Sequence, residues 1–145
     1  MTTTLVIGLD GHETGKRALA YGKRLAGLIG ECELLIVYVV EWSPYSFQTP
    51  EENAERHKRR EEEIALATER VIDPALAGLK KEGFKARGMV RHGDVASALT
   101  AIADQEHADQ IIVSRASEGG FAQRIFGSAT SNLVMSANVP VTVVS

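Results

Sequence analysis

Short apolar runs alternate with helical segments along the whole chain, and this alternation constrains the fold more than any other feature. The runs have no polar face, which is typical of strands buried on both sides of a parallel sheet. Predicted strands cover residues 5–10, 34–40, 84–91, 110–113 and 141–144. The β-α-β-α-β-α-β-α-β order predicts an α/β fold, an open five-stranded parallel sheet with helices on both faces. The length of 145 residues predicts a single domain, residues 1–145.

The first two predicted helices differ in character. Residues 16–30 carry one apolar stripe, and Gly22 lies on it, which predicts close packing of this helix against the sheet. A second helical segment begins at Glu51, and its first half is almost entirely charged. Because Pro74 lies inside the second half, we expect a kink or a break near Asp73.

Two shorter helices complete the pattern. Asp94 follows a predicted strand and is placed to cap the next helix. Ala129, Leu133 and Ala137 recur at helical spacing before the last strand. The connection at residues 41–50 contains prolines and aromatic residues, so we predict a loop there.

Composition and charge argue against several classes of function. The formal net charge is −3, so electrostatics favours neither nucleic acid nor an anionic membrane as a partner. The longest apolar run, near residues 34–40, is far shorter than the roughly 20 residues of a membrane span. The N-terminus enters a strand without a basic segment or a cleavage site, so no export signal is expected. Cys32 is the only cysteine, which fits a reducing cytoplasm.

The carboxyl edge of the predicted sheet is the expected ligand site, because open α/β sheets bind ligands where the strand order reverses. Loops at this edge begin at Asp10, Glu41, Arg91 and Ser114. After Ser114 the chain passes through small residues and a basic stretch to a helix start at Gly127-Ser128. A strand, a flexible loop and a helix N-terminus form a common phosphate-binding arrangement.

The same residues also have ordinary structural interpretations. Asp10 can cap the first helix, Ser128 can cap its own helix, and Arg115 can be a solvated surface residue. The four histidines have neither helical pairing nor a cysteine partner, so no metal site is predicted. The absence of G-x-S-x-G, G-x-x-x-x-G-K-[ST] and G-x-G-x-x-G argues against hydrolase-elbow, P-loop and dinucleotide sites.

Several segments, taken in order and at their spacing, resemble the universal stress protein family across essentially the whole chain. They are Ile7-Gly8-Leu9-Asp10-Gly11, His92-Gly93-Asp94, Ala108–Val113, Gly127-Ser128 and Pro140–Val144. The resemblance implies the adenine nucleotide alpha hydrolase-like fold, with strand order 3-2-1-4-5. It also implies a homodimer that pairs the last strands, Val141–Val144.

The resemblance further implies a nucleotide site. Members that bind ATP or AMP usually carry G-x2-G-x9-G-S/T, and here Ser114 and Ser117 stand at its two loop glycines. A serine in the left-handed conformation costs roughly 1 kcal/mol, but its hydroxyl can donate to a phosphate. By resemblance, Asp10 holds the ribose or the adenine edge, and Val39 lies against the adenine. The residues expected around the phosphates are Ser114, Ser117, Gly127, Ser128 and Ala129, with Arg115 supplying charge.

Two hypotheses of function follow. The first is a cytoplasmic regulator or sensor of the universal stress type that binds ATP or AMP, with or without Mg2+, and acts on a regulatory protein partner. It would hydrolyse ATP slowly at most, because no general base or metal-binding pair is evident beyond Asp10. The alternative is a dimeric stress-response interaction module that does not bind nucleotide. The serines at positions 114 and 117 favour the alternative, and the preserved spacing to Gly127-Ser128 favours the first.

Overall fold

A parallel sheet forms the centre of the computed structural model, which describes residues 2–11, 15–41, 49–115 and 129–145. Within those ranges the sheet has five strands: β1 Thr3–Leu9, β2 Cys32–Glu41, β3 Lys85–Gly93, β4 Gln110–Ser114 and β5 Val141–Val144. The strand order is β3-β2-β1-β4-β5, and all neighbouring strands are parallel. The predicted fold class and strand order are confirmed.

The helices lie between the strands in sequence. Their bounds are α1 Gly15–Ile29, α2 Pro50–Ala67, α3 Asp73–Lys81 and α4 Val95–Gln105, and residues 129–136 form α5. Asp94 accepts a hydrogen bond from the Ser97 N–H at 3.0 Å, so the predicted cap of α4 is confirmed. None of the helices in the described ranges has the length and apolar content of a membrane span.

Pro74 distorts the second helical segment without breaking it. Thr68–Ile72 form a π-helical turn that joins α2 to α3, and the Asp73 N–H donates to the Thr68 carbonyl. Pro74 then lies in the first turn of α3, where its missing N–H costs least. Of the two expected outcomes, a break near Asp73 is wrong, because the wider π turn absorbs the proline and the helix continues.

The apolar runs supply two cores, one on each face of the sheet. Ile7 and Ile36 face α1 and α3, whereas Val6 and Leu35 face α4 and α5. All four side chains are 0% exposed, and burial of one such side chain contributes about 1.5–3 kcal/mol. The prediction of strands buried on both faces is therefore confirmed for β1, β2 and β4, whereas β3 and β5 are mostly half-buried. The alternation along the buried strands decides which helices lie on which side.

Gly22 brings α1 close to the sheet, as predicted. A Cβ atom built on Gly22 would collide with Cδ1 of Ile7 and would lie 3.9 Å from Cδ1 of Ile112. A Cβ atom on Gly27, further along the same helix, would have nothing within 4 Å. The distance between α1 and β1 therefore depends on the lack of a side chain at position 22.

Candidate functional site

The carboxyl ends of β1 and β4 lie side by side at the middle of the sheet. The strands pair in parallel with Ile7 opposite Ile112, so Asp10 and Ser114, each at or just past a strand end, lie at the same edge. The chain leaves β1 for α1 on one face, whereas α5, which follows β4, packs on the other face through Leu133. Chain paths that diverge in this way open a crevice for a ligand.

Asp10 is fixed against the start of α1. Its Oδ1 atom accepts a hydrogen bond from the Gly15 N–H at 3.0 Å, and the residue is half-buried. Gly15 is buried, and a Cβ atom there would lie 2.7 Å from Asp10 Oδ1. Of the structural interpretations of Asp10, the structure shows a carboxylate that is hydrogen-bonded to the first described residue of the first helix. The contact also holds this carboxylate at the edge where a ligand is expected.

Ser114 is buried at the end of β4, with 2% of its surface exposed. Its Oγ atom accepts a hydrogen bond from the Ala18 N–H at 3.0 Å, a contact across 96 positions of sequence. The hydroxyl thus faces the first turns of α1. A glycine at this position has no atom that could make the contact, so the serine links β4 to α1. The predicted role of Ser114 beside a phosphate stays a prediction.

Asp10 and Ser114 together fix the N-terminal part of α1 from two neighbouring strands. Asp10 contacts Gly15 from β1, and Ser114 contacts Ala18 from β4. A side-chain oxygen that accepts from helix N–H groups is favoured by the positive end of the helix dipole. The switch point is therefore a corner at which hydrogen bonds join two strand ends to one helix start.

The remaining predicted site residues are distributed around this corner. Val39 is 9% exposed and packs in the core on the α4 face. Arg115 is exposed, and its N–H donates to the Val144 carbonyl at 2.6 Å, which continues the pairing of β4 with β5. Ala129 is half-buried on α5. The other three predicted residues, Ser117, Gly127 and Ser128, lie outside the described residues.

Two residues of this corner were not predicted from the sequence. Gly15 and Ala18 supply the N–H groups that Asp10 and Ser114 accept. A glycine five positions after an aspartate, at a helix start, is the signal that could have pointed to Gly15. The contact between Ser114 and Ala18 has no local signal, because the two residues belong to distant segments.

Comparisons with known proteins agree on the family. A sequence model of the universal stress protein family matches residues 1–145. A Thermus aquaticus protein, described as the universal stress protein in the QAH/OAS sulfhydrylase 3′ region, is 30% identical over 146 residues. The match covers 99% of this chain and 99% of that protein.

Solved structures of the same family share the fold. UspA from Lactobacillus plantarum has a TM-score of 0.79 at 19% identity, covering 99% of this chain and 97% of that one. A universal stress protein in complex with cAMP has a TM-score of 0.63 at 22% identity, covering 99% and 96%. A family protein from Arabidopsis thaliana with AMP bound has a TM-score of 0.63 at 12% identity, covering 98% and 90%.

Proposed function

The chain belongs to the universal stress protein family, and we propose that it is a regulator or sensor that binds ATP or AMP at the carboxyl edge of its sheet. One observation carries the proposal: Asp10 and Ser114 hold the start of α1 at the switch point between β1 and β4. Open α/β sheets bind ligands in the crevice at such a point. The cAMP and AMP complexes of proteins with this fold support an adenine nucleotide as the ligand class.

The residue types at this edge fit a nucleotide. The Asp10 carboxylate is an acceptor suited to ribose hydroxyls or the amino edge of adenine. Val39 offers an apolar neighbour and a backbone edge, and Arg115 is an exposed cation at the end of β4 that can pair with phosphate. The parts of the phosphate site assigned by resemblance to Ser117, Gly127, Ser128 and Ala129 belong to the same proposal.

We infer a binding function rather than rapid catalysis. Asp10 is the carboxylate assigned to the nucleotide, and its Oδ1 atom already accepts the Gly15 N–H. A general base has to reach the proton that it abstracts, and Asp10 is assigned to the ribose or the adenine edge rather than to the phosphates. ATP, bound with or without Mg2+, would therefore be hydrolysed slowly at most. The bound nucleotide then acts as a signal to a regulatory protein partner.

We propose that the protein is located in the cytoplasm. Cys32 is a buried free thiol in β2, and burial raises its pKa, with Asp109 and Glu33 acting in the same direction. A thiol kept protonated reacts slowly with oxidants and disulfides. Cys32 is also the only cysteine of the sequence, so no internal disulfide can form, which fits a reducing compartment.

The proposal can be tested by measuring the nucleotide that co-purifies with the protein. Protein purified without added nucleotide is denatured by heat, and the supernatant is analysed by mass spectrometry. Release of AMP or ATP is expected in a constant ratio to protein. The matched control is the Asp10→Ala variant, purified in parallel, which should release much less. Equal release from both proteins would place the nucleotide away from Asp10.

Substitution of Ser114 tests whether its hydroxyl stabilises the fold or contacts the nucleotide. Ser114→Ala removes the buried hydrogen bond to Ala18, so the free energy of unfolding should fall by about 1 kcal/mol. AMP affinity, measured by calorimetry on the folded variant, should stay within about twofold of wild type, a difference of about 0.4 kcal/mol. The exposed Ser136→Ala variant is the control for stability. A large loss of affinity with unchanged stability would mean that the hydroxyl contacts the nucleotide.

A second candidate function, a dimeric interaction module that does not bind nucleotide, is favoured by the serines at positions 114 and 117, and the surface around β5 is its proposed interface. This strand lies at the edge of the sheet in the described residues. Val143 is 38% exposed, and Val134 and Met135 on α5 are 54% and 86% exposed. An edge strand with exposed apolar neighbours is a template for pairing with another chain. We propose that Val141–Val144 pairs with the same strand of a second copy.

A charge on the edge strand tests the dimer. Val143→Glu places a carboxylate where two copies would meet, so light scattering should report the mass of a monomer, whereas wild type should be a dimer. Leu28→Glu is the matched control, because Leu28 is 74% exposed and belongs to α1, not to β5 or α5. A Val143→Glu variant that keeps the dimer mass would rule out this interface.

A further inference from the structure

A second cleft lies on the α1 and α3 side of the sheet, near the carboxyl edge. It is an open cleft of about 560 Å³, and α1 forms one wall through Lys16 and Leu19. The opposite wall comes from Arg70 and Val71 in the π-helical turn and from Ala75 in α3. Ligand pockets of small molecules span about 300–1,000 Å³, so the cleft has the size of such a site.

The π-helical turn gives the cleft a fixed wall. Ile72, the last residue of the turn, is 2% exposed. It packs so closely over β3 that a Cβ atom on Gly88 would collide with Ile72 Cγ2. Arg70 and Val71 precede this anchor directly. π-helical turns inside α-helices frequently occur at functional sites, and this one lines the cleft.

The described lining of the cleft is mainly apolar and includes two cationic side chains. Leu9, Leu19, Val71 and Ala75 supply apolar surface, and the charged side chains among the described lining residues are Lys16 and Arg70. Acidic residues stand next to Arg70 in sequence at Glu69, and nearby at Asp73, but neither lines the cleft. An apolar cleft whose described lining carries two cations complements a ligand that has an apolar body and an anionic head.

The cleft is separate from most of the proposed nucleotide site. Its lining contains Gly11 and Gly15 from the β1–α1 connection but no residue of β4 or α5. Val39 and Arg115, assigned to the nucleotide, do not line it. Among the described residues the two sites meet around Asp10, because Leu9 and Gly11 flank it in the chain and Gly15 contacts its side chain.

We propose that this cleft binds a small organic monocarboxylate with an apolar chain or ring, independently of the nucleotide. The carboxylate pairs with Arg70 and Lys16, and the apolar body lies along Leu19, Val71 and Ala75. The inference goes beyond the nucleotide function, because it concerns other residues and another class of ligand.

Two fluorescent probes test the charge requirement. 8-Anilinonaphthalene-1-sulfonate carries an anionic group, and N-phenyl-1-naphthylamine is its neutral counterpart. The anionic probe should bind wild type saturably at one site, and decanoate should displace it. In the Lys16→Gln/Arg70→Gln double variant, affinity for the anionic probe should fall at least tenfold, while the neutral probe stays within about twofold. Arg24→Gln/Lys80→Gln, which removes two exposed cations outside the lining, is the matched control.

A filling substitution and a competition experiment complete the test. Val71→Phe should abolish binding of both probes while circular dichroism shows a folded protein, because the ring occupies the cleft. Saturating AMP should leave probe binding unchanged in wild type. The proposal is overturned if wild type shows no saturable binding, if decanoate does not compete, if both double variants lose the anionic probe equally, or if AMP displaces the probe in a one-to-one ratio.

Discussion

Alanine at position 15 is expected to lower the affinity for AMP at least tenfold. The new Cβ atom would lie 2.7 Å from Asp10 Oδ1 and 3.2 Å from the Asp10 nitrogen. The carboxylate therefore has to move, and it loses its hydrogen bond to the residue 15 N–H. A tenfold loss corresponds to about 1.4 kcal/mol of binding free energy. Loss of the helix cap should also lower the free energy of unfolding by about 0.5–2 kcal/mol. Calorimetric titration with AMP and urea unfolding measure the two effects.

Gly27→Ala is the matched control, because it makes the same change on the same helix. A Cβ atom at position 27 has nothing within 4 Å, so AMP affinity should be unchanged. Alanine is a better helix former than glycine, so this variant should be more stable by about 0.5–1 kcal/mol. Opposite signs of the stability change at positions 15 and 27 are therefore expected. Wild-type AMP affinity in Gly15→Ala would contradict a nucleotide placed against Asp10.

Leucine at position 22 is expected to cost about 3 kcal/mol of unfolding free energy, near the upper end for an overpacked core. Even a Cβ atom at this position would collide with Ile7 Cδ1, and Ile112 Cδ1 is 3.9 Å away. A whole leucine side chain has to push α1 away from β1 and β4. The hydrogen bond between Ala18 and Ser114, one turn earlier on α1, should weaken with it. Urea unfolding followed by circular dichroism gives the free energy.

Gly27→Leu is the control for this second substitution. It adds the same side chain to the same helix at a position with open space, so its stability should equal or exceed that of wild type. A Gly22→Leu variant as stable as Gly27→Leu would mean that α1 does not pack on the sheet through Gly22. The native distance between α1 and β1 would then not depend on this residue.

The sheet could be predicted from the sequence because its signals are local. The run from Leu5 to Leu9 is apolar at successive positions, and such a run is typical of a strand that helices cover on both faces. The resemblance to a known family then supplied the strand order, which local pattern cannot give. Gly22 was predictable for the same reason, since a glycine on an apolar helix stripe indicates a close neighbour.

The parts that could not be predicted depend on contacts between distant segments. The hydroxyl of Ser114 contacts α1 across 96 positions, and the family pattern, which assigns Ser114 a place beside the phosphates, does not indicate this contact. The π-helical turn at Thr68–Ile72 was not predicted either. Pro74 signals a disturbance, but whether the helix breaks or widens depends on how Ile72 packs over β3. Tertiary packing overrides local propensity in such cases.

The two proposed ligand sites also differ in how far they could be predicted from the sequence. Asp10 stood out because it follows an apolar run at a predicted switch point. The cleft between Lys16 and Arg70 could not be predicted from the sequence, because these two residues are 54 positions apart. The π-helical turn that forms one wall of the cleft was not predicted either.

Calorimetric titration of nucleotide-free protein with AMP, and with ATP in the presence of Mg2+, tests the central claim most directly. Protein is freed of nucleotide by unfolding and refolding, and Asp10→Ala is titrated in parallel. We predict saturable heat with one nucleotide per chain for wild type, and affinity at least tenfold weaker for Asp10→Ala, about 1.4 kcal/mol. No heat with wild type at millimolar nucleotide, together with an unchanged thermal unfolding midpoint, would contradict the nucleotide function and leave the dimeric interaction module in its place.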